Sequence, residues 1–453
     1  MSATATRERA GAASAPIAGP AGHPLLGMAA ALRGDLLGTL QDGFARYGDV
    51  VAYRIGPARG PQRLRRLAVA LHHPDDVRRV LTDMDAFTRL TSSYGVLREL
   101  FGINLVTANG EDWRRQKRLL QPLFTRAAAG RYAELIAHEA HAVVERCWSA
   151  PSGTLDASRA MEEYALRVLG RTLFEDERGI DDDTIAALER LVPLVGAQVR
   201  ARATQPVRVP LRWPTPRNRR FAETRDALHA TIERVLARQR HTGPARPDDV
   251  DLLSRLRHAR DPEGERPLSE QEVRDQALIF LIAGHTTTSN ALCSTLHLLG
   301  RHAEIQERVA LGGDQLARAA VQEGLRLHPP SYVLGRRVGA GGAEVAGHRL
   351  PAGTDVLVSP WITHRHPGFW SEPEAFDPWR FVGADDRPPY AWFPFGGGAR
   401  ACIGKHFALL ESTILVRALL ARCRLESLDA DYPMAQLISM RPSGPVRVKC
   451  HPR

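Results

Sequence analysis

The clearest pattern of apolar and polar positions begins at Ser269. Ser269 and Glu272 form a Ser-x-x-Glu box, which satisfies the free amides of a helix start. From there apolar residues run, with few charges beyond Arg274 and Asp275, to Leu299. A helix apolar on nearly every side belongs in the middle of a protein. Inside this one lies AGHTTTSN, residues 283–290, with three threonines in a row. Threonine is a poor filler for a buried helix, and its hydroxyl can bond the carbonyl one turn earlier. The stretch reads either as a tolerated kink or as a helix opened beside a ligand.

On either side of the helical region the pattern changes to short strands. VVAYRIG at 50–56 and LAVAL at 67–71 flank a basic loop, and LPAGTDVLVSP at 350–360 reads as a turn and a strand. The closing RPSGPVRVKC ends in another strand. Helical patterns fill about 112 to 328 in between. The expected fold class is mainly α with minor β sheets at both ends of the sequence. That favours one interleaved domain, 19–453, over two separable ones. The Ala-, Ser- and Thr-rich residues 1–18 are expected to be a disordered lead, and HTGPARPDD at 241–249 to join two helices.

The chain has 453 residues, 43% hydrophobic and 25% charged, which describes a soluble globular protein. The longest uncharged apolar run near its start, 24–32, is too short to span a bilayer and lacks a secretory pattern. The expectation is a cytoplasmic enzyme without a membrane anchor. The five cysteines, at 147, 293, 402, 423 and 450, form no Cys-x-x-Cys pair, which argues against a disulfide framework and a zinc site. Cys147, Cys293 and Cys423 stand in helical patterns and read as packing residues. The net charge of +10 rests on arginine, since the only lysines are Lys117, Lys405 and Lys449. No nucleic-acid module is legible among 6% aromatics, and an acidic protein partner suits the charge equally well.

FPFGGGARACIGKHFALLE, residues 393–411, sets glycines 396, 397, 398 and 404 around Cys402. A phosphate-binding loop would need a glycine five positions before Gly404 and a hydroxyl after Lys405; the chain has Ala399 and His406. A helix beginning near Ile403 or Gly404 would instead offer unpaired amides and its positive dipole end to a Cys402 thiolate. The glycines would let a flat ligand come close to the backbone. The plainer alternative is a buried packing cysteine. Elsewhere, Glu323 and Arg326 in VQEGLRLHPP are three apart on one helix face, ahead of Pro329. Alone they would be a surface ion pair.

Taken together these stretches resemble the cytochrome P450 family over nearly the whole chain. The family's haem signature, Phe-x-x-Gly-x-Arg-x-Cys-x-Gly, is matched by Phe395, Gly398, Arg400, Cys402 and Gly404. Its Glu-x-x-Arg is matched by Glu323 and Arg326, with Arg380 of FDPWRF (376–381) as the arginine that joins them. The oxygen-activating motif is similar to residues 283–288, and the Trp-x-x-x-Arg stretch to Trp113 with Lys117. Two positions depart from the pattern. Thr286 stands where the family usually has Asp or Glu, and Lys117 keeps a cation but loses the planar fork of Arg.

The resemblance implies a triangular, mainly helical prism around a buried haem b, with Cys402 as the iron's thiolate ligand. Phe395, Gly396, Gly404 and Ala408 would lie against the cofactor. Arg400, Trp113, Lys117 and Arg336 (or its neighbour Arg337) would meet the propionates. Glu323, Arg326 and Arg380 would hold the Cys402 loop. Thr287 would organise water near bound oxygen, with Thr286 as a secondary link; His285 is expected to point elsewhere. Substrate contacts are expected from 88–108, 190–215, 331–335 and 438–440, including Val333, Leu334 and Ser439, and from Ala283 and Thr287.

The implied activity is that of a monomeric monooxygenase placing one atom of O2 in a small apolar organic compound, such as a terpenoid or polyketide. Electrons from NAD(P)H would arrive through a ferredoxin reductase and an acidic ferredoxin. The docking face is expected at Arg114, Arg115, Arg118, Arg126 and Lys405. The missing acid at 286 also admits a peroxygenase or a non-redox haem-thiolate enzyme.

Overall fold

The computed structural model describes residues 16–59, 61, 65–149, 153–174, 181–203, 209–239, 252–259, 266–384 and 386–453. The expected lead, as far as residue 15, and the expected linker at 241–249 lie outside the described residues. The chain packs into two compact units, each gathered from several stretches of sequence.

The first unit, drawn from Met1–Thr91, Val333–Ser371 and Arg387–Ala401, is built on a five-stranded sheet. In spatial order the strands are Val50–Ile55, Arg66–Leu71, Asp355–Val358, Leu334–Val338 and Phe87–Thr88. The two strands read near the start pair antiparallel, with Val50 opposite Leu71. Arg66–Leu71 then runs parallel to Asp355–Val358, the strand read after the 350–354 turn. Parallel neighbours cannot be joined by a tight turn, so this pairing needs distant parts of the chain. Val69, Leu71, Val356 and Val358 bury one face of the sheet with Val77, Leu81, Phe87 and Phe393. Val51, Tyr53, Ala68 and Ala70 bury the other with Leu40 and Ile362. β-Branched residues suit such a pleated surface.

The second unit, drawn from Ser92–Tyr332, Glu372–Asp386 and Cys402–Arg453, is mostly helical. Its longest element is the 32-residue helix Glu270–Arg301. The capping box is complete: the Ser269 amide donates to Glu272 Oε2 at 2.8 Å and the Glu272 amide to Ser269 Oγ at 3.2 Å. Helix Ala157–Phe174 packs along it, and Gly284 lets the two close up, since a Cβ there would come within 2.9 Å of Leu169. Helix Lys405–Arg422 lies against Ala133–Ser149 and Gly313–Leu327.

Thr154–Asp156, Arg447–Pro452 and Cys423–Ser427 form a small antiparallel sheet in this unit. Cys423 therefore opens a strand rather than sitting in a helix, though it is buried as expected. Met434–Gln436 and Met440–Pro442 make a hairpin that is tied down along its length. Arg200 Nη1 donates to Gln436 O at 2.8 Å, Tyr332 Oη to Leu437 O at 3.1 Å, and the Met440 amide to Pro330 O at 2.8 Å. At Gly196 a Cβ would lie 3.0 Å from Leu437 Cβ. Among the described residues no helix is long and apolar enough to cross a membrane.

Candidate active site

Cys402 of the second unit is exposed, just ahead of the 18-residue helix Lys405–Arg422. The free amides of that helix follow directly on the thiol and favour its anionic form. At Gly404 a Cβ would lie 4.0 Å from Cys402 Sγ, in ordinary contact with the sulfur. Ala408 is half-buried one turn later. The other four cysteines are buried, and burial pushes the Cys293 thiol well up. The packing alternative fits those four and not Cys402.

Glu323 and Arg326 are a fully buried pair, not a surface one. Arg326 Nε and Nη2 each donate to a Glu323 oxygen at 2.7 Å, the two-point geometry that a planar guanidinium provides. Arg326 also donates to the carbonyls of Pro373 at 2.6 Å and Ala375 at 2.8 Å. Glu323 Oε1 accepts from the Asp377 amide at 2.9 Å and lies 3.5 Å from Arg380 Nε. Within this unit the network therefore pins the segment around 372–381.

On the long helix, Phe280, Ala283, Gly284 and Thr287 are the less buried positions of an otherwise enclosed stretch. They share one face, at helical spacing. The helix is continuous, and its hydroxyls bond back as expected: Thr286 Oγ1 to Ile282 O at 2.9 Å and Thr287 Oγ1 to Ala283 O at 2.7 Å. His285 lies off the face that Ala283 and Thr287 share. Its ring is buried with Nδ1 2.5 Å from Leu281 O and Nε2 3.2 Å from Thr286 Oγ1. Burial lowers this imidazole to about 4. Ser439 is buried, with Asn290 Nδ2 donating to its Oγ at 3.5 Å.

Trp113 is buried and Lys117 half-buried one turn later on helix Gly110–Leu120. Arg115 on the same helix is corrected as a docking residue. It is buried, ion-paired with Glu272, and its Nη1 donates to Arg266 O at 3.4 Å. Arg126 and Arg318 are exposed, and with Lys405 they act on His406, whose imidazole is lowered by burial and by these three cations. Arg318 was not legible as a member, because only folding brings helix Gly313–Leu327 beside the start of Lys405–Arg422.

In the first unit the glycines before the cysteine have separate reasons. Gly398 has φ +62° and its Cβ would come 2.3 Å from Leu81 O, while at Gly397 a Cβ would strike the Tyr390 ring. The Gly398 amide donates to Tyr390 Oη at 3.0 Å. Gly396 also has positive φ, +68°, and half-buried Phe395 packs edge-on to Trp392. The Arg400 carbonyl accepts from Arg89 Nη2 at 3.0 Å. Arg337 is engaged by Asp355 at 2.7 Å, whereas Arg336 is buried on strand Leu334–Val338. Val333 and Leu334 are half-buried against the two apolar clusters of the sheet.

Comparison with known proteins covers the whole of this arrangement. Residues 17–449 match the family described as Cytochrome P450. The chain is 33% identical to cyclooctat-9-en-7-ol 5-monooxygenase of Streptomyces melanosporofaciens, over 96% of this chain and 95% of the relative. It is 32% identical to pentalenene oxygenase of Streptomyces avermitilis, over 84% of each. Among solved structures, a six-coordinated cytochrome P450 of Thermus thermophilus superposes with a TM-score of 0.70 at 27% identity, over 90% of this chain and 96% of the other. Sequence and fold thus agree along nearly the full length, and the chain belongs to the cytochrome P450 family, haem-thiolate oxidoreductases.

Proposed function

We propose that the protein is a monooxygenase that places one atom of O2 in a cyclic terpenoid, with electrons from NAD(P)H delivered by a ferredoxin. The observation that carries this reading is Cys402, an exposed thiol at a helix start, in a chain whose relatives are named for oxidising cyclooctat-9-en-7-ol and pentalenene. The donor set fits a haem: an exposed thiol just ahead of a helix start, with cations and an aromatic among the matched residues. Haem iron held by a thiolate supplies the cleavage of dioxygen when bound. Cys402 would be the ligand, with Phe395, Gly396, Gly404 and Ala408 against the ring. Arg336, Arg400, Trp113 and Lys117 would hold the propionates, Arg337 being already engaged by Asp355. Thr287 would hold water and pass its hydroxyl proton on the uncovered face of the long helix, and Ala283 would meet substrate there. Val333, Leu334 and Ser439 are further substrate-pocket candidates.

Turnover of cyclooctat-9-en-7-ol under ¹⁸O₂, with NADPH, ferredoxin and reductase, is expected to give product carrying one ¹⁸O. Thr287→Ala should raise the peroxide released per NADPH severalfold and leave substrate binding nearly unchanged, and Thr286→Ala should do less. Product formed with added peroxide but not with ferredoxin would replace this reading with a peroxygenase.

The electron donor is proposed to dock on Arg126, Arg318 and Lys405, where positive charge gathers three residues after Cys402 in sequence. Attraction of an acidic partner is screened over about 8 Å at physiological salt. Ferredoxin-dependent reduction should therefore slow as salt rises, and Arg126→Glu or Arg318→Glu should slow it further. Rates indifferent to both changes would exclude this face.

A further inference from the structure

Three polar side chains of the long helix meet the C-terminal segment, and one of them is left incompletely bonded. Ser294 Oγ accepts from Tyr432 Oη at 2.9 Å, and His297 Nδ1 stands 2.8 Å from Ser427 Oγ. Asn290, one turn before Ser294, has only a long contact: its Nδ2 donates to Ser439 Oγ at 3.5 Å, beyond the usual range of such bonds. Both residues are buried. Among the described residues, no donor reaches Asn290 Oδ1 and no acceptor meets the Ser439 hydroxyl hydrogen. Buried polar groups are as a rule bonded, so a spot with an unused acceptor and an unused donor calls for a partner. Turning the amide over exchanges the roles and still leaves one donor and one acceptor.

The pair sits at the edge of the uncovered face of the helix. Asn290 follows Ala283 by seven positions, within about 20° of two full turns, and lies about 4.5 Å beyond Thr287 along the axis. Ser439 is in the tip of the hairpin at 434–442, directly after Ile438, whose apolar side chain is 43% exposed. Arg200, Tyr332 and the Pro330 carbonyl hold that hairpin through its backbone, so Ser439 is kept in place. A substrate hydroxyl supplies both missing partners at once. Its hydrogen goes to Asn290 Oδ1, and its oxygen accepts from Ser439 Oγ. A ketone or an ether offers an acceptor alone, and a hydrocarbon offers neither.

We propose that Asn290 and Ser439 are specificity-determining residues that bind a hydroxyl group already present on the substrate, so that the enzyme takes an apolar cyclic alcohol in preference to the parent hydrocarbon. The inference rests on the monooxygenase reading and narrows its substrate class. The anchored hydroxyl is not the group that reacts. Holding it beside the long helix fixes which carbon of the apolar body lies toward Thr287, so the pair selects the position oxidised as well as the substrate. A site built to bond a hydroxyl discriminates strongly against the analogue lacking it, because its own polar groups are then left unpaired.

Calorimetry on the haem-loaded protein should show cyclooctat-9-en-7-ol binding about tenfold tighter than the same compound without its hydroxyl, the effect of one good hydrogen bond. Asn290→Leu and Ser439→Ala should each bring that ratio close to one, by weakening binding of the alcohol alone. Ser439→Thr keeps the hydroxyl and should keep most of the preference, which a purely packing role would not allow. In turnover with ferredoxin, reductase and NADPH, the wild type should oxidise one carbon and Asn290→Leu should give a mixture of positions. Cyclododecanol and cyclododecane form a second pair for calorimetry that depends on neither the terpenoid reading nor turnover. A preference for cyclododecanol that Asn290→Leu removes, with no binding of the terpenoid, would overturn the terpenoid reading and support this one. No preference for either alcohol over its hydrocarbon, or a preference unchanged in Asn290→Leu and Ser439→Ala, would overturn the proposal.

Discussion

Cys402→Ser should abolish the red-shifted band of the reduced carbon monoxide complex, whereas Cys293→Ser should keep it. The argument is positional. Cys402 is exposed at the start of a long helix, where free amides stabilise the thiolate that metals require. Cys293 is enclosed in the middle of the long helix, where burial pushes its thiol up and holds it neutral. Serine in place of Cys402 presents a hard alkoxide or neutral hydroxyl in place of a soft sulfur, and the electronic push from the ligand is lost. The band and dioxygen-dependent turnover should disappear together. An unchanged band in the Cys402 variant would transfer the ligand role elsewhere.

Glu323→Gln should lower the stability of the protein by about 3–5 kcal/mol, the cost of leaving buried cations without their counter-charge. Stability of a whole domain is only about 5–15 kcal/mol, so this one atom-for-atom exchange removes a large share of it. Two arginines depend on Glu323, one held at two points and one at 3.5 Å. Arg326→Lys should cost nearly as much, because an ammonium cannot reach Glu323 at two points and the carbonyls of Pro373 and Ala375 together. Glu323→Met with Arg326→Leu should be milder than Glu323→Gln alone, since it leaves only Arg380, and not both arginines, without Glu323. The check is the urea midpoint of each purified variant. A Glu323→Gln midpoint equal to wild type would mean that the pair contributes little.

The parts of this molecule legible in its sequence are those fixed by local rules. The long helix announces itself through the Ser269–Glu272 box and its apolar surround, and both halves of that box form. The cysteine signature needs Gly398 because φ is positive and Leu81 O stands against it, and both conditions leave a glycine in the sequence. What the sequence withholds is contact between distant stretches. The parallel pairing of Arg66–Leu71 with Asp355–Val358 leaves no trace in either strand's own pattern. Arg115 looks like any surface arginine of a basic helix until Glu272 is placed beside it. His285 is the instructive case. Counting helix positions turns it away from Thr287 correctly, but misses that a helical side chain leans back toward the preceding turn. That lean brings its ring to Leu281 O and the neighbouring hydroxyl.

The hairpin at 434–442 carries a consequence for how such an enzyme changes its diet over evolutionary time. Its tip is not an independent loop. Arg200 and Gly196 of helix Asp182–Ala203, Tyr332 and Pro330 all grip it through backbone atoms or direct packing. A side chain gained at 196 has no room unless Leu437 shrinks, and a longer residue at 437 needs the glycine to stay. Positions 196 and 437 are therefore expected to drift as a couple, and libraries that randomise one alone will return mostly misfits.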